Sequence, residues 1–383
     1  MLKSNAYKDG WDTDLLFRVV ATLDSRDDEY VCLCLSKNGD LLSGHESKFK
    51  VWSCATDYHK WILLHVVHIP EKGNVTCITQ FPNVDDKYAV SINNCVAIYA
   101  LTRDSAFKPL HMFHFSGDEI NQVDIHPRAS FICAGDDSGD IKVIDVENLC
   151  VCKTLTRHHK NICSTVKFNP RKPWEVFSGG LDCQLIRWDF SRGRPLFVFD
   201  VQTSFREKKQ ALESYVVNPP MVHCVDVLSS IHCVVCALGN GSVAVYSASS
   251  PKQLEAICSA HLHSTSVACV CCIEIPGQEP THVVVSGGND GNICVSILKY
   301  ERPGEQVKTQ KKQRNQLQQR LGELNLIVTI EHGSKVNWMA VSTCNNSRSA
   351  ESLMPGKTIM LSHTLMIAVA DQTSVAKVYE VNF

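Results

Sequence analysis

The stretch SGGLDCQLIRWD, Ser178 to Asp189, packs a strand, a tight turn marked by Asp182 and a second strand ending in Trp188-Asp189 into twelve residues. Just upstream, Asn161 to Phe168 (NICSTVKF) alternates apolar and polar residues, the period-2 signature of a strand with one buried face. His159 stands immediately before it. One unit of strand, strand, turn and strand is therefore legible from residue order alone.

The unit recurs. Residues in the place of Trp188 are Trp52, Tyr99, Ile144, Tyr246, Ser296 and Tyr379, and the successive spacings along the chain are 47, 45, 44, 58, 50 and 83. A WD repeat has a period of ~40–45 residues and forms one four-stranded blade of a β-propeller. The fold expected is therefore all-β, a seven-bladed WD-repeat β-propeller. Longer gaps require insertions, and these are expected at 203–218, 301–323 and 342–362.

A propeller explains how 383 residues form one domain, 14–383, because each blade buries its faces only against its neighbours and the core grows as a ring. The seventh unit, Ser374 to Phe383, leaves no sequence for an outer strand. The apolar, β-prone run Leu15 to Leu23 is otherwise unassigned, so it is expected to close the last blade by pairing its open edge.

Composition narrows the function classes. A net charge of −2 gives no bulk attraction to nucleic acid or to an anionic membrane. No segment approaches the ~18–20 apolar residues of a membrane span, and the polar N-terminus carries no secretory leader, which together predict a cytoplasmic or nuclear protein. Nineteen cysteines invite a metal or redox reading, through His232-Cys233-Val-Val-Cys236 or through Cys269, Cys271 and Cys272. Yet most fall inside proposed strands, where a thiol packs as a small hydrophobe, and Cys233 and Cys236 would point to opposite faces of an extended strand. No metal and no cofactor are expected.

Catalytic motifs are missing. Pro355-Gly-Lys-Thr358 lacks the first glycine of a phosphate loop, and there is no GxSxG or HExxH. One polar constellation does have a mechanical role: His159, Ser178, Asp182 and Trp188 match the hydrogen-bonded chain that locks the turn of many WD repeats. His263 and Asp290 supply two members in the sixth unit, where Ser296 replaces the tryptophan. Elsewhere the set decays, with Glu46 and Ser138 in the Asp position. The basic run Lys308 to Arg320 reads as a solvated insertion or, alternatively, as a localisation signal or an acidic-partner contact.

Segments beyond the generic pattern, notably EHGSKVNW (Glu331 to Trp338) and VADQTS (Val369 to Ser374), resemble a branch of the WD-repeat family proposed as substrate receptors of cullin-4 RING ubiquitin ligases. The resemblance implies a non-catalytic protein-interaction scaffold docking on the damaged-DNA-binding adaptor. Such receptors often carry Trp-Asp-x-Arg. Here Ser191 follows Trp188-Asp189-Phe190 and Arg192 comes one place late, which makes Trp188, Asp189 and Arg192 the candidate adaptor contacts. The competing readings are an assembly scaffold unrelated to ubiquitin and a metal-dependent sensor or enzyme built on the cysteine-rich strands.

Overall fold

The computed structural model describes residues 17–26, 28–54, 60–101, 107–203, 218–250, 253–275, 277, 280–300, 322–344 and 364–382. Their alternating apolar pattern produces seven four-stranded antiparallel sheets. After β1 (Phe17–Asp24), blade one is β2 (Cys32–Leu35), β3 (Leu41–His45), β4 (Lys48–Cys54) and β5 (Trp61–His68). Blade two is β6 (Val75–Gln80), β7 (Lys87–Ile92), β8 (Cys95–Ala100) and β9 (Pro109–His114); blade three is β10 (Ile120–Ile125), β11 (Phe131–Asp136), β12 (Ile141–Asp145) and β13 (Cys150–Leu155). Blade four comprises β14 (Cys163–Phe168), β15 (Glu175–Gly180), β16 (Gln184–Asp189) and β17 (Arg194–Asp200), and blade five β18 (Val222–Leu228), β19 (Cys233–Leu238), β20 (Ser242–Ser247) and β21 (Glu255–His261). Blade six holds β22 (Val267–Ile275), β23 (Thr281–Gly288), β24 (Asn292–Tyr300) and β25 (Gly322–Glu331); blade seven holds β26 (Val336–Cys344), β27 (Thr364–Asp371) and β28 (Val375–Asn382). This is a seven-bladed β-propeller.

All seven residues read as Trp-position equivalents lie on third strands, each opposite an apolar residue of the second strand: Trp52 pairs with Leu41, Trp188 with Val176 and Tyr379 with Ile367. Blade seven is completed by β1, which pairs with β28 from Phe17↔Val381 to Asp24↔Val375. Arg18 forks onto Glu380 at 3.0 and 3.2 Å. The turn after β1 is fastened to blade one, because Lys48 and the buried Lys50 both reach Asp28 at 2.7 Å. Those two cations hold the Asp28 carboxyl down to about 2 against its partial desolvation. Leu15 and Leu16 lie outside the described residues, as does the basic run 308–320. The insertion limits shift slightly, since Gly322 and Glu323 open β25 and Ser342 to Cys344 end β26.

The seven inner strands, β2, β6, β10, β14, β18, β22 and β26, surround a central channel with a cavity of about 230 Å³. Each would leave an unpaired backbone edge, an unfavourable state for buried peptide groups. Around the channel, side chains of each blade satisfy the backbone of the next, while Gln80 and Glu274 accept from the blade before, at Lys37 N and Ser230 N. Cys32 Sγ donates to Val75 O at 3.2 Å, and Thr79 Oγ1 donates to Val123 O at 3.1 Å. Asp124 accepts from Phe168 N at 2.8 Å, Thr165 Oγ1 from Val225 N at 3.0 Å, and Asp226 from Cys272 N at 2.7 Å. Cys271 Sγ donates to Met339 O at 3.5 Å, and the Trp338 indole donates to Leu33 O at 3.0 Å, which shuts the ring.

Candidate functional site

In blade four, the loop before β14 delivers His159 to the turn between β15 and β16. Its Nε2 lies 2.8 Å from Ser178 Oγ and its Nδ1 lies 3.1 Å from Asp182 Oδ1, while the Trp188 indole donates to Ser178 Oγ at 2.8 Å. His159, Ser178 and Trp188 are buried, so each partner removes a desolvation cost the others would carry. Gly180 makes the room: a Cβ there would sit 2.6 Å from His159 Nδ1. Burial opposes ionisation of Asp182, but the His159 and backbone hydrogen bonds outweigh it and hold the carboxyl low.

The position of Gly180 decides what each other blade does. Blade six has Gly288 there, and His263 enters to meet Ser286 Oγ at 2.8 Å and Asp290 at 3.1 Å. Ser286 is thus a third matching member, one more than the sequence reading found. Burial pulls His263 down, yet the bonds to Asp290 and Cys294 raise it to about 9. The Ser296 hydroxyl, where a tryptophan would donate, is buried and has no hydrogen-bond partner among the described residues.

Blades one, three and seven correct the expectation of decay. In blade one, His45 itself occupies the glycine position and turns back on its own strand, with Nε2 2.8 Å from Ser43 Oγ and Nδ1 2.8 Å from the Glu29 carbonyl. Trp52 then donates to Ser43 Oγ at 2.9 Å. Glu46 forms an isolated bridge with Asn74 instead of joining this chain. Blade three has Asp136 there, accepting from Ser116 Oγ at 2.9 Å and from Ser138 N at 3.1 Å. Blade seven has Asp371, which His332 Nε2 meets at 3.0 Å while His332 Nδ1 meets the Tyr379 hydroxyl at 2.8 Å. A polar residue four places beyond the partner of the Trp position is the signal that would have located all three.

At the opposite, lower end of blade four, Asp189 caps the turn between β16 and β17. It accepts from Ser191 Oγ at 2.6 Å and from Arg192 N at 3.2 Å, and Arg192 Nε folds back to 3.3 Å from its Oδ2. The turn, closed by Gly193 N to Phe190 O at 3.2 Å, leaves the Arg192 side chain 64% exposed. Trp188 is buried in the blade and reaches Asp189 only through the backbone. Arg187, which sequence reasoning passed over, is also buried. It forks onto Glu175 at 2.9 and 3.0 Å, and Asn169 Nδ2 donates to the same carboxylate at 2.9 Å.

Two comparisons bear on this geometry. The family described as WD domain, G-beta repeat matches residues 107–145 and 150–189, which span blade three and most of blade four. The chain is a seven-bladed β-propeller that contains WD repeats. It is 28% identical over 162 residues to the WD repeat-containing protein 53 homolog of Dictyostelium discoideum. That match covers 40% of this chain and 44% of the relative's length.

Most of the buried cysteines pack within the strands of the blades, Cys32, Cys77, Cys163 and Cys269 on inner strands and Cys133, Cys233, Cys236 and Cys294 on second or third strands. Cys32, Cys77, Cys133, Cys163, Cys233, Cys236, Cys269 and Cys294 are buried, and burial pushes the thiols of Cys32, Cys133 and Cys269 well above their ordinary value. Among the described residues, no three His, Cys, Asp or Glu side chains converge as a metal site. In the channel, Lys167 bridges Asp124 at 3.5 Å and Asp226 at 3.4 Å.

Proposed function

We propose that this WD-repeat propeller is a non-catalytic substrate receptor of cullin-4 RING ubiquitin ligases and binds their damaged-DNA-binding adaptor through the lower end of blade four. A WD-repeat propeller is a protein-interaction scaffold; the ligase assignment refines that statement. The observation that carries it is the exposed Arg192 guanidinium held beside Asp189 on a tight turn. A planar fork fixed in that way suits bidentate pairing with a partner's acceptors, which neither lysine nor serine can match. In this reading Trp188 anchors the strand, Asp189 orients the arginine and Arg192 makes the contact. A cytoplasmic or nuclear location belongs to the same proposal.

Co-precipitation with purified adaptor tests it. Wild type is expected to bind, and Arg192→Ala is expected to bind about tenfold or more weakly, since losing one charge-assisted fork costs about 1.5–3 kcal/mol. Failure of wild type to bind would leave the alternative, an assembly scaffold unrelated to ubiquitin. Equal binding by both proteins would remove Arg192 from the interface.

A further inference from the structure

The lower face where blades three and four meet carries an exposed aromatic side chain on a rigid support. Trp174 is 51% exposed, yet its ring packs on Phe190 at 5.5 Å and faces Phe131 at 6.1 Å between centroids. Phe190 N donates to Trp174 O at 3.0 Å. The loop before it is fixed by Asn169, whose N donates to Glu175 O at 2.9 Å and whose Oδ1 accepts from Arg171 N at 3.2 Å. The indole is therefore held in place before any partner arrives, so docking immobilises little.

Charge around Trp174 is one-sided. Arg128 lies on the neighbouring loop of blade three, Arg192 on the turn beside Phe190 and Arg194 at the start of β17, and all three are exposed. Arg128 and Arg194 have no ion pair among the described residues. The acids at this end are mostly committed: Glu175 to Arg187, Asp189 to Arg192 and its turn, and Asp145 to the backbone of Glu147 and Asn148 at 3.0 and 2.8 Å. Among the described residues of blades three and four at this end, Glu147 is the exposed acid without such a role.

We infer that this junction docks an acidic segment of a partner protein whose apolar residue covers Trp174 while its carboxylates meet Arg128 and Arg194. Tryptophan and arginine are among the residues that most often dominate interface energetics, and a preformed aromatic platform with two arginines free of ion pairs on its neighbouring loop and strand favours carboxylate-bearing chains. The inference rests on the protein-interaction reading of the propeller and is independent of the adaptor.

The full chain labelled with 5-fluorotryptophan supplies a site-specific test, because six tryptophans give few resonances and Trp174→Phe assigns one. The probe is a short synthetic peptide in which glutamates flank a leucine-phenylalanine pair, compared with its glutamine counterpart. Saturable movement of the Trp174 resonance by the glutamate peptide is expected, with affinity falling about tenfold or more for the glutamine peptide and for Arg128→Ala/Arg194→Ala. Thermal unfolding of the double variant should match wild type, since both side chains are exposed. An unmoved Trp174 resonance, equal response to both peptides, or unchanged affinity in the double variant would each overturn the inference. None of these readouts depends on adaptor binding, so either reading can fail alone.

Discussion

Blades one and four hold the same serine hydroxyl against the same indole, but the imidazole arrives from opposite directions. In blade four it comes from the preceding loop, passes over a glycine and ends on a carboxylate, His159 to Asp182. In blade one it comes from the second strand itself and ends on a carbonyl, His45 to Glu29. The requirement is thus a buried acceptor-donor bridge at Ser43 or Ser178, and residue order is free to vary around it. The blades differ again next to the tryptophan. Val51 precedes Trp52, whereas the charged Arg187 precedes Trp188, where the other blades have Ile98, Val143, Val245, Val295 and Val378.

The sharpest way to break the comparison is at that last difference. Arg187→Ala would strand the Glu175 carboxylate, and removing one partner of a buried ion pair costs about 3–5 kcal/mol. The double variant Arg187→Leu/Glu175→Leu should recover most of the loss by imitating the apolar sites of the other blades. Denaturant unfolding reads both, and a double variant as unstable as the single one would mean the ion pair itself is needed.

A smaller effect separates the two adjacent histidines. His159→Ala leaves Ser178 and Asp182 under-satisfied, at about 1–3 kcal/mol. His158 makes only an edge contact with Trp188, 5.2 Å between centroids, so His158→Ala should cost clearly less in the same unfolding measurement.

The smallest effect is in acid. Burial lowers His45 to about 4 from an ordinary 6.5, so its neutral form is favoured in the fold. Its contribution is present above pH 6.5 and is lost as pH falls through about 4. Asp182 is lowered instead, so blade four's contribution persists to below the ordinary carboxylate value of 3.8. Protection of the Trp52 indole N–H should therefore fade at a higher pH than that of Trp188, measured by hydrogen exchange. Simultaneous loss would show that the blades open together.

Blade number and closure were legible in the chain because a buried residue recurs at the Trp position of every third strand, large in all but blade six, and because the run Leu15 to Leu23 was otherwise unassigned. What escaped reading were exchanges between elements. His45 was passed over since its role depends on a serine two places back on the same strand. Arg187 was passed over because nothing local announces that Glu175 faces it. Ser286 was hidden by the loss of the tryptophan that usually marks it. The channel contacts join residues 43 to 68 apart, or 305 apart at Trp338, beyond the reach of any local pattern.

Those channel contacts give the molecule a sense of rotation. Every blade lends side chains to the backbone of its successor, from Cys32 to Val75 and onward to Trp338 and Leu33. A substitution at one of these seven contacts therefore strands backbone groups of the blade after it, whereas one at Gln80 or Glu274 strands those of the blade before.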